Sequence, residues 1–119
     1  MEPLSAFRAF LWGLGGVKFA ARRLRPLAEH GDQLAQFELG RCYIAGGKAF
    51  RRDYVQGYKW MALAASRDTH AGDRFSEEIK QDAEGFIHGQ KGVPGLEERM
   101  NCADLQRAKE LIAEWRSQS

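Results

Sequence analysis

The chain has little of what redox, metal-binding or membrane-spanning proteins show in their sequences. Only two of its 119 residues are cysteine, Cys42 and Cys102. They stand far apart with no CxxC or other ligand spacing, which argues against a zinc site or a redox motif. Two free, mostly buried thiols are expected, because an unpaired cysteine behaves as a small apolar residue; a long-loop disulfide is the weaker alternative. The net charge of +2 is too small to imply a polyanionic partner. The basic residues are not clustered among aromatics as nucleic-acid binding requires, so no nucleic acid is expected. No apolar run approaches the roughly 20 residues of a spanning helix. The uncharged stretch from Ala9 to Val17 could serve a signal peptide, but Glu2 comes early and Lys18 interrupts the run, so cleavage is not expected.

Catalytic patterns are equally scarce. His30, His70 and His88 lie in different segments, with no HExxH and no pair at i, i+4, and read as surface or cap residues. Ser76 is followed three positions later by Ile79, so the Ser-x-x-Lys of serine β-lactamases is missing. "GLGGVK" (Gly13 to Lys18) has neither the spacing nor the Ser/Thr of a phosphate loop and reads as a helix break. "SEEIKQDAE" puts Glu78 and Asp82 on one helical face, which reads as a solvated surface, as does the basic loop with Lys48, Arg51 and Arg52. The expectation is a protein that is not an enzyme, with no catalytic, cofactor-binding or metal-binding residues and no cofactor.

What is present is a globular composition, 44% apolar and 29% charged, with 13 glycines and 3 prolines. The length suits one domain with a modest core. From about Pro3, the acid-free start of the chain places Phe7, Phe10, Leu11, Leu14 and Val17 at helical spacing, with Arg8, Lys18, Arg22, Arg23 and Arg25 around them. Gly13, Gly15 and Gly16 predict a kink there.

Beyond Pro26, Asp32 is a candidate N-cap. Leu34, Ala35, Leu39, Cys42 and Tyr43 follow on one side, and Gly46 and Gly47 end the helix. Asp53 caps a second helix with Tyr54, Gly57, Tyr58, Met61, Ala64 and Ala65 on its stripe and Trp60 on its flank. The two make an antiparallel hairpin. A third helix carries Phe75, Ile79, Ala83, Phe86 and Ile87. "GQKGVPG" reads as a loop, and Asn101 caps a last helix with Leu105, Ala108, Leu111, Ile112 and Trp115. No segment alternates like a strand, so the expected class is all-α.

Residues 28–66 resemble one Sel1-like repeat, a relative of the tetratricopeptide repeat. The resemblance rests on Gly31 and Asp32, Ala35 and Gln36, Leu39 and Gly40, Tyr43, Gly46, Asp53 and Tyr54, Gly57, Trp60, and Ala64 with Ala65, all in order. Gly57 stands where that family usually has alanine, and the loop is about one residue longer, with Phe50 where valine is common. The tail "LEERMNCADLQRAKELIAEW" resembles the closing helix of bacterial Sel1-repeat proteins at Met100, Leu105, Ala108, Leu111 and Trp115. The segments 1–25 and 67–95 carry no such match.

The resemblance implies a helical-hairpin repeat of solenoid type with capping helices at both ends. The expected layout is an amphipathic basic segment over 1–25 and a helical domain over 26–119, with the repeat at 28–66, a third helix at 72–88, a loop at 89–98 and a capping helix at 101–116. It implies an adaptor or accessory subunit for a protein partner. Such folds bind through variable positions of the first repeat helix, here Gln33, Phe37, Glu38, Arg41 and Ile44, with Phe37 as the candidate anchor or else a core residue. The alternative is a small peripheral subunit of a membrane-associated complex, in which Phe7, Phe10, Leu11, Trp12 and Leu14 form the membrane or partner surface. A cytoplasmic location is expected, with membrane association under that alternative, and homo-oligomerisation stays open.

Overall fold

The computed structural model describes residues 23–46, 51–66 and 74–118. The sequence-predicted stripe with Phe7, Phe10, Leu11, Trp12 and Leu14, the loop tip with Lys48 and Phe50, and His70 lie outside the described residues.

Helices begin and end where side chains satisfy their terminal backbone groups. Helix α1 covers 23–29 and sends Leu24 and Ala28 into the core. The chain turns at Gly31, and α2 (Gln33–Ala45) starts where the Asp32 carboxylate accepts the Ala35 N–H at 2.9 Å. It stops at Gly46, whose φ of 67° suits glycine. The Asp53 N–H then donates to the Tyr43 carbonyl at 2.9 Å, and the Asp53 carboxylate accepts from Gln56 N to start α3 (Tyr54–Ala65).

Helices α2 and α3 run antiparallel. The amide of Gln33, at the start of α2, donates to the carbonyl of Ala64 at the end of α3, while Ile44 near the other end of α2 lies against Gly57. They approach closely because bulk is missing at the crossing. A Cβ on Gly40 would lie 3.2 Å from Met61 Cγ and 3.3 Å from the Gly57 carbonyl, and one on Gly57 would lie 2.7 Å from Ile44 Cγ1. The glycines cost helix propensity of about 1 kcal/mol each, offset by the contact they permit.

Helix α4 (Arg74–His88) leads into a two-stranded antiparallel hairpin, β1 (Gly89–Gln90) and β2 (Val93–Pro94), with Gln90 opposite Val93. A single turn, α5 (Leu96–Arg99), follows, and α6 (Cys102–Gln118) closes the chain from an N-cap in which Asp104 N–H donates to Asn101 Oδ1 at 2.7 Å. Helix α3 is the hub, packed against α2, α4 and α6. It buries Trp60, Met61 and Leu63, and each such side chain contributes about 1.5–3 kcal/mol of burial.

The class is all-α, with a small hairpin as its one addition among the described residues. Three details differ from the sequence reading. Residues 89–98 form a hairpin and a helical turn rather than a loop. Trp60 belongs to the core and not to a flank, and Leu24 joins it there. Both thiols are free, but only Cys42 is buried; Cys102 opens α6 and is exposed.

Candidate functional site

A groove of about 330 Å³ lies between the later turns of α2, the second half of α4, the hairpin and α5. Phe37 and Phe86 form its base in an edge-to-face contact, with ring centroids 6.0 Å apart and planes at 66°. Ile44, Val93, Pro94 and Leu96 supply apolar walls, and Arg41, Asp82 and Arg99 bring charge. Arg41 is steadied by Glu38 at 3.3 Å, a charge-assisted contact to a carboxylate buried on α2.

The hairpin carries one wall. Its geometry needs Gly95, because a Cβ there would run into the backbone of Gly89 and Ile87. Val93, on the second strand, is 55% exposed, one of the large apolar side chains left open to solvent among the described residues.

The five residues expected to bind a partner divide between core and groove. Phe37 is only 1% exposed and Glu38 2%, so neither offers a free side chain on an open helical face. The expectation of Phe37 as a protruding anchor is corrected, and its alternative as a core residue holds. The reason is that α4 meets the Phe37 side of α2 through Phe86, while α3 lies against Gly40 and the Ala28 carbonyl of α1 accepts from the Gln36 amide, so that every residue from Leu34 to Gly40 is buried. Gln33 is engaged internally, donating to the Ala64 and Ser76 carbonyls at 3.0 and 3.2 Å and accepting from the Ser76 hydroxyl at 2.6 Å. Arg41 and Ile44 do reach the groove. Phe86, Val93, Leu96 and Arg99 join them from outside the repeat-like stretch. The signal for these was the apolar spacing of α4 and the Val-Pro-Gly sequence, read separately as core and loop.

Other titratable side chains lie away from the groove or beneath it. Burial pushes the Cys42 thiol up to about 11, with Glu38 adding to the rise and Arg41 opposing it. His88 Nδ1 lies 2.9 Å from Glu97 Oε1, and the Tyr58 hydroxyl donates to Glu97 Oε2 at 3.5 Å. Burial first and Glu97 second raise the Tyr58 pKa. This cluster joins α3, the end of α4 and α5. Lys59, with its ammonium 4.2 Å from the Trp60 ring centroid, has its pKa lowered chiefly by burial. Among the described residues no three His, Cys, Asp or Glu side chains converge as metal ligands. Nor is any described helix long and apolar enough to cross a membrane. No model of a known protein family matches the chain, and neither a curated protein nor a solved structure does.

Proposed function

We propose that the chain is a non-catalytic protein-interaction module of Sel1-like, tetratricopeptide-related type, which takes an apolar side chain of a protein partner into the groove between α2, α4 and the hairpin. The observation that carries this reading is the exposed Val93 beside Pro94, at the edge of a cleft with an aromatic base and two arginines. Apolar surface held open next to fixed charge is the arrangement of a binding site, with aromatic and aliphatic contacts for affinity and arginine for orientation. The ordered match of residues 28–66 to one Sel1-like repeat and the close Gly40–Gly57 crossing support the family reading. A lone repeat cannot cover its own faces, since about three are normally needed. Helices α1, α4 and α6 lie over much of that surface here, and the groove is one of the places left open.

Affinity capture from the native source tests it. The full chain should retain a partner that a Val93→Asp/Arg41→Glu variant loses, with helical content unchanged by circular dichroism. Equal recovery by both would remove the groove from consideration.

A further inference from the structure

A second, broader cleft of about 760 Å³ opens where α1, the end of α2, the residues leading into α3 and the start of α6 meet. Three arginines from two segments line it: Arg25 from α1, and Arg51 and Arg52 from the approach to α3. Two of them are set in place by tyrosines. Arg25 Nη2 donates to the Tyr43 hydroxyl at 2.8 Å with its guanidinium carbon 5.9 Å from that ring's centroid, and the Arg52 guanidinium carbon lies 5.9 Å from the Tyr54 ring centroid. Arg52 also reaches the Ala45 carbonyl at 3.5 Å. Arg51 is exposed.

The cleft also contains two carboxylates, Asp53 and Asp104. Asp53 accepts the Gln56 N–H as the cap of α3, and Asp104 sits in the first turn of α6, where a helix N-terminus favours negative charge. Among the described residues neither pairs with Arg25, Arg51 or Arg52, and none of these three guanidinium groups has a carboxylate within salt-bridge distance. Three cations facing two helix-committed anions leave an unbalanced positive cleft.

We propose that this cleft binds an acidic peptide segment of a partner protein, rich in Glu or Asp. Arginine forks match carboxylates two bonds at a time, and forks already held beside tyrosines lose less freedom on binding. The cleft is several times larger than a single inorganic anion. Its arginines are spread over separate elements, and Tyr43, Tyr54 and Val55 give side-chain stems an apolar surface, which suits a peptide with successive carboxylates. This site uses none of the groove's residues and stands or falls separately from it.

The test is fluorescence anisotropy with the full chain and a rhodamine-labelled octaglutamate at low ionic strength. Saturable binding is expected, weakening with added sodium chloride and at least about tenfold weaker for octaglutamine. Arg25→Gln/Arg51→Gln should weaken it about tenfold, whereas the charge-matched Lys91→Gln/Lys109→Gln should leave it within about twofold. Arg51→Gln alone should weaken it as well, and because this exposed side chain makes no contact the fold needs, it reads the site without a stability change. Equal loss in both double variants means diffuse attraction and overturns the proposal, as does absence of saturable binding. Displacement by inorganic phosphate beyond that by chloride at equal ionic strength would reassign the cleft to isolated anions. Tighter binding of octauridylate than of octaglutamate would reassign it to nucleic acid.

Discussion

Gly57 decides how near α2 and α3 can lie, and its neighbour Ile44 decides what a methyl group there would cost. Alanine is the better helix former by about 1 kcal/mol, yet its Cβ would meet Ile44 Cγ1 at 2.7 Å, close to the branch point of a stiff side chain. Overpacking of this kind costs about 1–3 kcal/mol. Gly57→Ala is therefore expected to lower stability by about 1 kcal/mol net in urea unfolding, and in an Ile44→Ala background the same change should become neutral or stabilising. A cycle showing no coupling between the two positions would contradict the close crossing.

Cys42 provides a second residue-scale prediction, in pH. Its thiol stays neutral in the folded chain up to about 11, against an ordinary value near 9. Between those values the unfolded chain binds fewer protons than the folded one, so stability is full below about pH 9 and falls as pH rises towards 11. The loss attributable to Cys42 should be about 1–2 kcal/mol after allowing for solvent screening, seen as the difference in pH slope between the wild-type chain and Cys42→Ala. In native protein near neutral pH, Ellman's reagent should titrate Cys102 promptly and reach Cys42 only on unfolding, since one thiol is exposed and the other buried.

Among the elements, α4 is legible from its apolar spacing and α2, α3 and α6 from their side-chain caps as well. Asp32, Asp53 and Asn101 each stand at a helix start and each accepts a backbone N–H three residues on. Because the pattern is local, the sequence alone marks it. Asp53→Ala should cost about 1 kcal/mol in thermal or urea unfolding, with Asp53→Asn retaining most of the stability; no difference between the two would remove the cap from the account. The hairpin over Gly89–Pro94 looks like a loop in the sequence because its strands are two residues each, too short to show alternation. What fixes it is the backbone crowding at Gly95, a tertiary contact that no local pattern reports. Gly95→Ala should disturb this wall and the groove with it, while leaving the α2–α3 crossing intact.

For the whole molecule, the antiparallel pair α2 and α3 is legible from spacing and small residues, but the surface it presents is not. The resemblance to a Sel1-like repeat implies an open face of α2 at Phe37. Here α4 crosses that face and turns the side chain into the base of a groove against Phe86. Arg41 and Ile44 reach the groove because they lie one and two turns further along α2, where the hairpin stands off and leaves space. The other walls come from residues distant in sequence, so only the fold could bring them together.

Site-specific photo-crosslinking in the native source tests the interaction reading most directly. A benzophenone amino acid in place of Val93 at the edge of the groove is expected to yield a discrete protein adduct, while the same group in place of Lys109 on the exposed side of α6 yields none. Equal crosslinking at the two positions, or none at Val93, would contradict a partner seated in this groove.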